Sequence, residues 1–220
     1  MLKKIKAGSP ATNEEDLQYI LDNVDVDNLF EFMALQMFVG NSDIGNIRYY
    51  RLHQEGSKWK WIWFDADYGL YSSNFNSPWS YLKETGMGQQ KIDNTIFLKL
   101  LEHPDYKQKF LEKLADVFKT FTTEYMTEIL DGVVAEIEPE MKNHWERWGE
   151  LNDTAITSEV PTTIDGAYSY WETRVNRLYN VLRLRPHRLW DFIKDEFELS
   201  TDEMEALFGP QPEYPEGTIF

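Results

Sequence analysis

The sequence contains no cysteine, which removes disulfide frameworks, thiolate metal sites and cysteine nucleophiles. It is poor in positive charge: 22 Lys and Arg stand against 38 Asp and Glu, for a formal net charge of −16. A nucleic-acid groove needs cations to neutralise phosphates, so this balance argues against one. No run approaches the roughly 20 apolar residues of a membrane span. The opening MLKKIKAGSPATNEED carries charge without the apolar centre of a secretory signal. The histidines, His53, His103, His144 and His187, are scattered without metal-binding spacing, and surface or core positions are expected for them. No Gly-x-Ser-x-Gly elbow marks a serine hydrolase. Gly86-Met87-Gly88 lacks the third glycine and the strand-to-helix setting of a phosphate loop, and reads as loop flexibility.

What is present is apolar material: 42% hydrophobic and 15% aromatic residues in a chain of 220. That is enough to bury a core in one large domain or two small ones. The acidic surface suits cationic partners or divalent metals, although such charge more often serves solubility alone.

Thr12-Asn13-Glu14-Glu15 reads as a capping box before Leu17, Ile20, Leu21 and Val24 at helical spacing. Asp27 is placed to cap a second helix through Leu29–Val39, apolar around most of its circumference and so buried nearly all round, with Gly40 ending it. The pattern then changes. Ile47–Leu52 and Trp59–Phe64 are rich in β-branched and aromatic residues and flank a turn with Gly56 and Ser57, the signature of a hairpin. Trp59, Trp61 and Trp63 alternate onto one sheet face, expected to pack on helices, with a ligand-stacking platform as the lesser alternative. Tyr71–Asp93 reads as a long loop. Helices follow over Asn94–Glu102, from Pro104 through Lys119, and from Thr122 or Thr123, with Pro139 kinking the last or opening a fourth that ends near Trp148-Gly149. After a loop over Leu151–Asp165, the pattern predicts two helices, Ala167–Leu184 and His187–Glu198, separated at Pro186. A Pro/Gly-rich tail closes the chain. Arg174, Arg177, Arg183, Arg185 and Arg188 are expected on solvated faces or paired with acids.

Two polar segments flank the hairpin, Gly40–Asn46 before it and Asp65-Ala66-Asp67-Tyr68-Gly69 after it. A hairpin returns the chain to its start, so Asp43, Asn46, Asp65 and Asp67 are expected to converge. Carboxylates so gathered repel one another unless a cation sits among them. Mg²⁺ accepts one or two carboxylates together with waters and phosphate oxygens. Phosphoryl transfer in protein kinases uses an Asp and an Asn on a loop, a hairpin, and then Asp-Phe-Gly. Asp43 and Asn46 stand as the loop pair, and Asp67-Tyr68-Gly69 resembles the triplet.

The segments GNSDIGNIRYYR, KWKWIWFDADYGLY, IFLKLLEHPDYKQKFLEKLADVF and IEPEMKNHWERWG resemble the CotH family of atypical, spore-coat-type protein kinases, from about Asp22 to about Phe197. The resemblance implies a kinase-like fold, ATP and Mg²⁺ as cofactors, transfer of phosphate to hydroxyl side chains of a protein substrate, and a spore-coat or cell-surface setting. By position it makes Asp43 the catalytic Asp and Asn46 a metal-binding residue. Asp65 and Asp67 match the Trp-Asp-x-Asp segment of the family, with Phe64 where Trp is common, and either can be the principal metal ligand. The loop from Asp43 to Asn46 is about two residues shorter than in the kinase motif.

The fold class expected is therefore mainly α with a small β-hairpin: a kinase-like C-terminal lobe over 27–198, a lead-in over 1–26 and a tail over 199–220. The lead-in is too short for an ATP-gripping lobe, so the chain reads as a fragment of a longer protein, inactive alone, with a truncated, inactive relative as the alternative. Two other readings stay open, a noncatalytic spore-coat or surface interaction protein that keeps the fold, and a metal-dependent hydrolase using the same carboxylates.

Overall fold

Helix α3 (Val26–Val39) is the axis on which the other elements are assembled. The computed structural model describes residues 1–43, 45–82, 93–148 and 163–214; Gly86–Gly88 and most of the expected loop over Leu151–Asp165 lie outside them. Two helices precede α3, α1 (Leu2–Ala7) and α2 (Glu14–Asn23). The cap of α2 is Asn13 rather than Thr12, its side-chain oxygen accepting from the N–H groups of Glu15 and Asp16 at 2.9 and 3.2 Å. Likewise Asp25, not Asp27, caps α3, accepting from the Asn28 N–H at 3.1 Å. Asp27 falls in the first turn, where a negative charge favours the helix dipole without capping it.

The hairpin forms as expected but is short. Strands β1 (Arg48–Tyr50) and β2 (Lys60–Ile62) pair antiparallel, with Tyr49 opposite Trp61. The free edge of β2 is not left open. The Asn28 amide accepts from the Trp61 N–H at 2.6 Å and donates to the Trp61 carbonyl at 3.2 Å, acting as a surrogate neighbouring strand. One step back, the Trp59 N–H donates to the Asn23 carbonyl and the Asp25 N–H to the Trp59 carbonyl, at 2.8 and 3.0 Å. The hairpin is thereby fixed to the α2–α3 junction, with Trp59 and Trp61 lining a cavity of about 440 Å³ against Leu29, Met33, Ile96 and Phe97.

Within the expected loop, Ser77–Tyr81 forms a short helix, α4, capped by the Asn76 side chain. Asn-Ser-Pro is a helix-start signature, and Pro78 in the first turn loses no needed donor. Then come α5 (Thr95–Leu101), α6 (Pro104–Thr120) and α7 (Thr123–Ile137). Pro139 sits in a 3₁₀ turn, Glu138–Glu140, that leads into α8 (Met141–Trp148).

The break expected at Pro186 is absent. Helix α9 runs unbroken from Ile164 to Phe197, and α10 (Thr201–Phe208) follows behind a Ser200–Glu203 capping box. A proline inside a helix strands the carbonyl four residues back. Here that carbonyl is Leu182, and the Thr123 hydroxyl donates to it at 3.2 Å, so the lost bond is replaced from α7.

The core gathers around α3 and α6. Phe30, Phe97 and Phe110 meet edge to face, with centroids 4.8–6.1 Å apart, an arrangement favoured by the ring quadrupoles. Ile5, Ile20 and Val24 from the lead-in, Leu189, Trp190, Ile193 and Phe197 from α9, and Met204 and Phe208 from α10 join the same cluster. The described residues are thus mostly helical with one two-stranded antiparallel sheet, the α+β class expected.

Asn28→Ala leaves the N–H and carbonyl of Trp61 without their partner, and the expected cost is about 1–3 kcal/mol. Urea unfolding checks this, with Trp fluorescence reporting hairpin detachment.

Candidate functional site

The two polar segments meet at the C-terminal end of α3. The last four carbonyls of a helix lack partners inside it; here the Gly40 N–H serves both Gln36 and Met37, and each of the four is also met from further along the chain. The Gln36 carbonyl accepts from the Asn41 N–H at 3.2 Å, after Gly40 turns the chain through the left-handed region at φ 62°. Met37 accepts from the Ser77 hydroxyl and from Arg185 Nη2, the latter at 2.8 Å. Phe38 accepts from Arg185 Nε at 3.1 Å. Val39 accepts from the Leu70 N–H at 2.6 Å, which ties the acidic turn to the helix.

Arg185 is the residue that sequence reasoning misplaced. It is buried, 1% exposed, and besides α3 it bonds the carbonyls of Ser73 and Phe75 and the Ser77 hydroxyl at 3.3, 2.6 and 2.6 Å. All these partners are neutral oxygens. Burial pushes its pKa down to about 9, which leaves it charged at neutral pH and well placed at the negative end of the α3 dipole. The signal in the sequence was its place one residue before Pro186 on the apolar side of α9, beside the buried Val181, Leu182 and Leu189. Gly40 serves the same clamp: a Cβ there would sit 3.0 Å from Arg185 Nη2.

Along the first segment, buried Asn41 accepts from the Asp43 N–H at 3.1 Å, which shapes the loop as an Asx turn. Asp43 is half-buried, and its Oδ1 is enclosed without a hydrogen-bond partner. Tyr81 stands behind it, wholly buried, its hydroxyl 3.2 Å from both the Gln36 amide oxygen and the Asn41 carbonyl. Burial, and then the charge of Asp43, hold the Tyr81 hydroxyl far above its ordinary pKa, so it remains a proton donor.

Asn46 reaches across to the second segment, where its amide bonds the Asp65 carboxylate. Asp65 adopts a left-handed backbone at φ 52°, a conformation that Asp and Asn enter more readily than most residues other than glycine, and is exposed. Asp67 is exposed on the following turn, which the Gly69 N–H closes onto the Ala66 carbonyl at 2.8 Å. Gly69 is required there, because a Cβ would lie 2.8 Å from the Ala66 oxygen and 3.1 Å from Val39. The structure thus brings Asn46 and Asp65 into contact and seats Asp43 in the same short loop.

A family model described as CotH kinase protein matches residues 1–189. The chain belongs to the CotH kinase family. No curated protein and no solved structure matches the chain. Membership in the CotH kinase family makes this a kinase-like protein, and implies the kinase-like fold for which the helices and hairpin are consistent parts. No described helix is long and apolar enough to cross a membrane.

Among the described residues, no group of three or more His, Cys, Asp or Glu is arranged to hold a metal. The donors brought together for a CotH kinase are oxygens, the Asp65 carboxylate and the Asn46 amide. This hard set, with few carboxylates, fits Mg²⁺ completed by waters and phosphate oxygens.

Arg185→Met removes donors from five oxygens and is expected to lower stability by about 2–4 kcal/mol. Arg185→Lys is expected to recover little of it, because an ammonium has three donors and no fork. Denaturant unfolding of the two variants, side by side, measures both effects.

Proposed function

We propose that this chain carries the metal- and phosphate-handling part of an ATP- and Mg²⁺-dependent protein kinase site that phosphorylates a hydroxyl side chain of a protein substrate. The observation that carries it is the Asn46–Asp65 contact, which joins the short loop to the acidic turn across the base of the hairpin.

Asn46 and Asp65 would hold Mg²⁺, the Asn46 amide presenting its oxygen. Asp67 faces solvent two residues beyond Asp65 in a tethered turn, and we assign it the second, outer place. The ion would supply neutralisation of charge on the transferring phosphoryl group. Asp43, half-buried in the short loop, orients the attacking hydroxyl and takes its proton. Tyr81 and Asn41 hold the loop beneath it. The hairpin's outer face, where exposed Tyr50, Ile62 and Phe64 alternate with Arg48 and Lys60, leads directly into Asp65. The alternative is a noncatalytic surface interaction protein that keeps the fold.

Calorimetric titration with Mg²⁺ and ATP separates the two. Nucleotide binding is expected to need Mg²⁺, to fall at least about tenfold in Asp65→Ala and to fall less in Asp67→Ala. Asp43→Ala is expected to keep binding while phosphoryl transfer to a protein substrate drops about 10²–10⁴-fold. A folded wild type of the full-length protein that binds neither ion nor nucleotide overturns the kinase reading in favour of the interaction protein.

A further inference from the structure

Helix α7 is apolar on two sides. Met126, Leu130 and Val134 are half-buried and share the side of Thr123, whose hydroxyl bonds α9. Along the adjoining flank Tyr125, Ile129, Val133 and Ile137 recur every four residues and are 46, 43, 47 and 40% exposed. Single exposed apolar residues are ordinary, but a row of four along roughly 18 Å of one helix, at 1.5 Å per residue, is a patch. No residue of α7 is buried. At its start the stripe joins the interior, since the Tyr125 ring packs against Phe121 with centroids 6.2 Å apart. Gly132, beside the stripe, has no atom within 4 Å of where a Cβ would stand, so the surface there is open to close approach.

Charge decides what such a surface can accept. Glu124, Glu128, Asp131 and Glu136 lie in α7, and Thr123–Ile137 contains no Lys or Arg. Asp131 is occupied by the Tyr179 hydroxyl; Glu124 and Glu128 border the stripe on its outer side. A second copy would set two acidic rows against each other, in a chain of net charge −16. An apolar strip edged by carboxylates is complementary to an amphipathic helix edged by cations.

We propose that α7 is a docking surface for a Lys/Arg-rich amphipathic helical segment of a partner protein, its apolar side laid along Tyr125, Ile129, Val133 and Ile137 and its cations against Glu124 and Glu128. The proposal is independent of the catalytic reading, because α7 contributes nothing to the Asp43–Asp65 site.

The probe is a fluorescein-labelled amphipathic peptide of leucine and lysine, followed by anisotropy at physiological salt, beside a peptide with each lysine replaced by glutamate. The lysine peptide is expected to bind and the glutamate peptide not to. Ile129→Ser/Val133→Ser leaves every charge in place and is expected to weaken binding about tenfold or more, as loss of apolar anchors does. Glu124→Gln/Glu128→Gln removes exposed acids without touching the stripe and is expected to weaken it severalfold while leaving the melting temperature unchanged. The proposal is overturned by no binding, by equal binding of both peptides, or by full binding to the serine variant, which would be charge attraction alone. It is overturned equally if wild type sediments as a dimer that the serine variant dissociates.

Discussion

The end of α3 is the constraint on which the site depends. Four carbonyls there need donors, and beyond the Gly40 N–H the structure draws them from four places: the start of the loop at Asn41, helix α4 at Ser77, helix α9 at Arg185 and the acidic turn at Leu70. Unmet, buried backbone oxygens cost about 1–3 kcal/mol apiece. Satisfying them pulls segments distant in sequence to one point. The two stretches that bear Asp43 and Asp65 are brought near each other as a by-product of ordinary backbone bookkeeping.

The hairpin adds the second coordinate. Asn28 holds β2 from the side, and the Val24–Trp59 bridge holds its beginning, so the distance from the α2–α3 junction to Phe64 is set by a few backbone bonds. Asp65 then leaves the strand with a left-handed backbone, turning its carboxylate toward Asn46 rather than along the strand. Asp tolerates that conformation better than most residues, and the Leu70–Val39 bond and the close-packed Gly69 hold the turn that follows it.

Much of this was legible in the sequence, for local reasons. The all-round apolar pattern of Leu29–Val39 announced a buried helix, the aromatic runs announced the hairpin, and its closure put Asn46 and Asp65 together. The failures share a different cause. Arg185 reads as a surface residue because nothing in its neighbours says that backbone carbonyls await it from 147 and 148 positions away. Pro186 reads as a helix end because the rule assumes an unanswered carbonyl, and the answer comes from Thr123, 59 residues earlier. Caps shifted by one or two residues, at Asn13 and Asp25, because several good capping residues stand side by side and only the fold selects one. Local chemistry is visible in a string; a long-range donor that rescues it is not.

The rescued carbonyl at Leu182 makes α9 a single strut, about 51 Å long at 1.5 Å per residue. Leu182, gripped by α7, and Arg185, gripping α3, are three residues apart, less than one turn of that strut. Had the helix broken at the proline, the α7–α8 arm would hang on a hinge, free to swing without consequence for the loops. As built, arm and clamp form one bracket, and a load placed on the arm is borne by the same turn of helix that holds the end of α3.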